Sequence, residues 1–161
     1  MAFAALGVSA QFPDASTRDG RGRQEELPKL IKENMQKGRI EEEKKEYDER
    51  IKRGEEAAKL SEELSKSFEQ NQTLSPEDVK KLARLEKLVK KIRDDLGGED
   101  DNELEASKPS SLMTALKSVQ ENASSLLTAL KKTTRLTISA VAIETSNTVL
   151  KLVRFIRFYK N

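Results

Sequence analysis

The most apolar stretch of the chain, SAVAIETSNTVLKLV, holds one acid, Glu144. A carboxylate set among Ala142, Ile143 and Thr145 is the kind of group whose proton affinity burial raises, as a general acid requires. It needs a partner, and the chain supplies none of the usual ones. There is no His and no Cys, which removes the commonest acid–base side chain near neutral pH, the usual zinc ligand and thiolate chemistry. The chain also has no glycine-rich phosphate loop and no G-x-S-x-G elbow. Glu144 is therefore expected on a helix surface, or paired with a Lys or Arg across a bundle. No enzyme activity, cofactor or metal is expected.

Two cation readings fail on spacing. Asp14, Ser16, Asp19 and Gly20 faintly resemble a calcium loop, but Arg18 stands at a ligand position and no Glu closes the loop. From Asp94 to Glu105 there are seven acids and no base. Nothing fixes them into a cage, so they read as a solvated acidic linker over 97–109.

The basic and apolar residues near the C-terminus are more promising. In TVLKLVRFIRFYKN, Val149, Leu152, Val153, Phe155, Ile156, Phe158 and Tyr159 form a broad apolar face, edged by Lys151, Arg154, Arg157 and Lys160. Such a helix either packs against partner helices or lies on an anionic membrane surface. Packing is the commoner use of the pattern. A spanning helix is not expected for this segment, because Glu144, Asn147, Lys151 and Arg154 interrupt any window of about 20 apolar residues. With Lys131, Lys132 and Arg135 the same cations could follow phosphates, although no nucleic-acid-binding module accompanies them.

These residues must be positioned by helices. The chain has 161 residues, 36% charged and 4% aromatic, with no Trp. Such a composition fills a thin seam between helices more readily than a thick core. Net charge is only +2, but 109–161 holds eight Lys/Arg against two acids.

The sequence TLSPEDVKKLARLEKLVKKIRDDLGG carries the clearest local signals. Ser75 is a good N-cap, Pro76 suits the first helical position, and Asp78 sits where a capping box closes. Leu74 and Val79 fall at staple positions. Leu82, Leu85, Val89, Ile92 and Leu96 step 3, 4, 3, 4, and Gly97–Gly98 ends the helix.

Before it, 24–71 is rich in Glu, Lys, Leu and Ala. One short apolar stripe is Leu27, Leu30, Ile31 and Met35; another is Tyr47, Ile51, Ala58, Leu60, Leu64 and Phe68. Between them lie the i,i+4 pairs Glu41–Lys45, Glu46–Arg50, Asp48–Lys52 and Glu49–Arg53. Gly38 and Gly54 are weak points where a kink is plausible.

After Pro109, Leu112, Leu116, Val119, Ala123, Leu126 and Leu130 make a seam, and one long helix is expected over 110–161. Its β-branched run Thr133–Val141 is mediocre helix material. The expected fold is all-α: an elongated antiparallel helical hairpin over 24–96, completed by the last helix as a three-helix, coiled-coil-like bundle. A disordered arm is expected over 11–23.

The first ten residues differ from the rest. They form a short apolar run ending Val8–Ser9–Ala10, an A-x-A-like pattern before a secretory cleavage that would leave Gln11 first. No Lys or Arg precedes the run. The reading is the remnant of a signal peptide, with export to the periplasm or envelope. The segments QFPDASTRDGRGRQEELPKLIKEN and AIETSNTVLKLVRFIRF, with the helix around LEKLVKKIRDDLGG, resemble small exported bacterial proteins described only as uncharacterised. That resemblance implies a longer leader, and it brings no activity or site residues. The expected function is binding of a partner protein, or of a second copy, through helical surfaces. Membrane-surface binding and nucleic-acid binding are the alternatives.

Overall fold

The structure, a computed structural model, describes residues 28–100 and 109–159. The first ten residues read as a leader remnant, the arm expected over 11–23 with its calcium-like spacing, residues 24–27 and most of the acidic linker lie outside the described residues. Among the described residues there are four helices: α1 (Lys29–Asn71), α2 (Pro76–Asp95), α3 (Leu112–Lys132) and α4 (Ala140–Phe158). The fold is all-helical, as expected, with four helices instead of three.

Helix α2 forms as its sequence dictates. The Ser75 hydroxyl accepts from the Asp78 N–H at 3.1 Å, and the Asp78 carboxylate accepts from the Ser75 N–H at 2.9 Å. Of the staple pair, Leu74 packs against the core while Val79 stays exposed. At the other end the Gly98 N–H donates to the Arg93 carbonyl and the Gly97 N–H to that of Asp94. This is a Schellman cap with Gly97 at φ +74°. Gly98 must also be small, since a Cβ there would lie 2.7 Å from Ile143 Cγ2.

The expected long C-terminal helix is broken at Thr133–Ser139. The Thr133 hydroxyl donates to the Ala129 carbonyl, and the Thr134 and Thr137 hydroxyls bond each other at 2.7 Å. Hydroxyls that offer the backbone local alternatives, on β-branched residues with little helix preference, end the helix here. Ser139 then caps α4 by accepting from the Ala142 N–H at 3.2 Å.

Ion pairs fix the helix directions. Arg53–Asp95 (2.6 Å) and Lys81–Glu63 (2.8 Å) set α2 antiparallel to α1. Lys131–Glu55 (2.8 Å) and Lys117–Glu69 (3.5 Å) do the same for α3. Arg157–Glu86 (2.6 Å), with the approach of Gly98 to Ile143, sets α4 antiparallel to α2. Helix α1 packs on α2 and α3, and α4 packs on the same two. The four helices therefore occupy the corners of a square, with α1 diagonal to α4.

The two central seams expected from spacing are in the core. Leu82, Leu85, Val89 and Ile92 of α2 and its C-cap Leu96 are buried, as are Leu116, Val119, Ala123, Leu126 and Leu130 of α3. Small residues let the helices approach closely. Gly54 lies buried under α3, where a Cβ would stand 2.9 Å from Leu130 Cδ1. Helix α1 runs through both Gly38 and Gly54 without interruption. Buried Ser61 and Ser146 direct their hydroxyls back to the Ala58 and Ala142 carbonyls, so burial leaves neither unsatisfied.

Lengths leave one consequence for the site. Helix α1 has 43 residues, while α2 and α3 have 20 and 21. Helices of that length cannot cover α1. Its buried residues begin at Gly54, and every residue from Pro28 to Glu42 is exposed. The first 18 residues of α1, Lys29 to Glu46, thus overhang the bundle by roughly 27 Å at 1.5 Å per residue.

Candidate interaction surface

The C-terminal face does not stand free. Val149, Leu152, Val153 and Ile156 are core residues, packed against α2 and α3. Phe155 and Tyr159 are half-buried, with their ring centroids 5.3 Å apart. Of the seven apolar residues read as an interaction face, Phe158 alone is largely exposed, at 82%. The face is buried because the break at Thr133–Ser139 turns α4 back onto the bundle. The cations beside it are engaged: Arg154 lies 3.5 Å from Asp100, Arg157 pairs with Glu86, and Lys151 has interactions of its own. Lys160 lies outside the described residues.

Glu144 is exposed. It shares an outward face of α4 with Ala140, Asn147, Thr148 and Lys151, in a shallow depression whose described lining is α4 alone. Among the described residues no group of three or more acids is placed to hold a metal. No helix among them is long and apolar enough to cross a membrane. The basic stripe is interleaved with acids, since Lys131 pairs with Glu55.

The exposed apolar side chains lie mostly elsewhere, at one end of the molecule. Leu30 (67% exposed), Ile31, Met35 and Ile40 stand on the α1 overhang. Leu136 (74%), Ile138 (70%) and Val141 belong to the α3–α4 loop and the first turn of α4. Both groups share an end because α3 finishes where the overhang begins. The Tyr47 hydroxyl donates to the Leu130 carbonyl at 3.5 Å, which places residue 47 level with the last turn of α3.

At this junction Arg50 Nε is shielded from solvent without a hydrogen-bond partner among the described residues. Of the four i,i+4 pairs expected nearby, Glu49–Arg53 forms, at 3.0 Å. The sequence shows Leu30, Ile31 and Met35 as a stripe, but periodicity alone does not say which stripe the bundle reaches. The last helix expected over 110–161 would have been long enough to cover α1, and its division into α3 and α4 is what leaves the overhang bare.

The acidic linker is anchored at its start. Arg93, 3% exposed, is held by Asp94 and Asp100, and Asp100 also faces Arg154 on α4. Burial disfavours the Arg93 charge, but its hydrogen bonds to the two aspartates outweigh that and raise its pKa further. Hydrogen bonding from Arg93 holds the Asp100 carboxyl below the usual aspartate range. This arrangement ties α2, α4 and the start of the linker together.

Comparison with known protein families, curated proteins and solved structures finds no match for this chain.

Proposed function

We propose that the protein acts by binding a helical protein partner, with the four-helix bundle as the anchor and the α1 overhang as the recognition element. One observation carries this reading: a 43-residue helix whose first 18 residues project past its neighbours with Leu30, Ile31, Met35 and Ile40 exposed. The packed part of α1 nucleates this segment, but its apolar side chains leave water only when another surface covers them. Exposed apolar residues beside charged ones at helical spacing are the anchors of helix-to-helix recognition.

The same reading places the protein outside the cytoplasm, supported by the Val8–Ser9–Ala10 pattern. A mature chain beginning at Gln11, found by mass spectrometry, supports export; a retained leader on a cytosolic chain overturns it.

Site-specific photo-crosslinking in the native cells tests the binding reading. A photoreactive p-benzoylphenylalanine replaces Met35 in one chain and Lys87, on the exposed side of α2, in another. The Met35 position is expected to give a discrete protein adduct and the Lys87 position none. No adduct at Met35, or equal adducts at both, would overturn the assignment.

A further inference from the structure

We infer that the partner of the overhang is a second copy of this chain, laid antiparallel along it in a two-fold symmetric dimer. The inference rests on the reading that the overhang is a binding surface, and it adds the identity of the occupant.

Charge gives the first argument. Residues 29–39 hold four Lys/Arg and one acid, whereas residues 41–51 hold six acids and three bases. Two copies of segment 29–51, the overhang with the turn by which it enters the bundle, laid antiparallel about Ile40 set net charges of +3 and −3 opposite each other, twice. Laid parallel, like faces like. Charge complementarity of this kind selects orientation and partner more than it supplies affinity.

Apolar placement gives the second. With the two-fold axis at Ile40, residue 35 of one copy stands opposite 45 of the other, and residue 31 opposite 49. That is the level at which Tyr47 meets the end of α3. The tip residues Leu30, Ile31 and Met35 of each copy then come beside the exposed Leu136, Ile138 and Val141 of its mate. One chain carries both apolar groups, separated along its length, and a two-fold interface joins each to the other. Glu33, the single acid of 29–39, falls opposite residue 47, within a turn of Arg50 and its unpartnered Nε.

Topology agrees. Both helices that pack on α1 within the bundle run antiparallel to it, so an antiparallel mate continues the packing beyond the bundle's end. A flat membrane fits less well. The overhang projects about 27 Å past the last turn of α3, and its acidic residues, from Glu41 to Glu46, are the ones nearest the cationic, aliphatic α3–α4 loop.

Sedimentation equilibrium of the full chain at low salt, over a wide range of concentration, tests this. The unaltered chain is expected to form a dimer. The triple variant Lys32→Glu, Lys37→Glu, Arg39→Glu makes both halves of the overhang acidic and should weaken self-association by about tenfold or more. The variant Glu41→Lys, Glu42→Lys, Glu43→Lys makes both halves basic and should do the same. An equal mixture of the two should regain the dimer. All six positions lie outside the bundle core, and an unchanged thermal melt shows that the bundle is intact in each variant.

Orientation is read from disulfides, since the chain has no Cys of its own. A mixture of Met35→Cys and Lys45→Cys chains should cross-link between the two, faster than either alone. A monomer at every concentration overturns the second copy, while a Met35 adduct of a different mass would leave the binding reading standing. Faster bridging within the Met35→Cys chain alone means parallel pairing and also overturns the proposal. So does a monomer that sediments with vesicles of phosphatidylcholine and phosphatidylglycerol, which would assign the surface to a membrane.

Discussion

Replacing Ile156 with Ala is expected to destabilise the protein by about 2–4 kcal/mol, whereas Phe158→Ala changes stability by no more than about 0.5 kcal/mol. The two residues are neighbours on one helix, and the sequence placed both on the same apolar face. Ile156 is 3% exposed in the core, so its truncation removes buried methylenes and leaves a cavity between α4 and its neighbours. Phe158 touches water over most of its surface and has little packing to lose. Urea denaturation of the two variants separates the cases. Equal small effects would mean that α4 presents its apolar face outward, and would restore a surface role for Val149–Tyr159.

Asp78→Ala is expected to cost about 2–3 kcal/mol, a large effect for a single acid. The Asp78 carboxylate accepts from the Ser75 N–H (2.9 Å), the Ser75 hydroxyl (2.7 Å) and the Ser67 hydroxyl of α1 (2.9 Å). It both caps α2 and fastens the hairpin turn to α1, at 2% exposure. Truncation leaves three half-buried donors without their acceptor.

Burial alone would push the Asp78 pKa up, but the bonds from Ser75 and Ser67 outweigh it and hold the carboxyl below the ordinary aspartate value. A folded pKa below the unfolded one gives stability that is complete above the unfolded value, near pH ~4. That stability is lost as pH falls through the folded value. The unaltered chain should therefore lose stability on acidification below about pH 4, and Asp78→Ala should lose less over that range. Identical acid profiles for the two chains would contradict the assignment.

Helix α2 was legible in the sequence almost residue by residue. Its cap, its seam and its terminating glycines are local signals, each satisfied within a few residues of Ser75 or Gly97. The α3 seam was legible for the same reason. The break at Thr133–Ser139 was only half visible. The β-branched run marked weak helix, but Ser139 reads as a cap only once the Thr hydroxyls have ended α3.

The position of the interaction surface was less visible still. Leu30, Ile31 and Met35 have the same residue types and spacing as stripes that are buried. What leaves them exposed is the length of α2 and α3, a property of the assembly. The C-terminal face misled in the opposite direction. Its aromatic and basic residues fit a surface helix, yet the break that turns α4 back covers Val149, Val153 and Ile156.

Backbone hydrogen exchange in the dilute, monomeric chain tests the central claim most directly, because it reports where α1 is covered and where it is bare. The account predicts slow exchange across 54–68, where α2 and α3 pack on the helix, and fast exchange across 32–46. Protection of 32–46 as strong as that of 54–68 would contradict it, since the overhang would then already be covered by the chain itself.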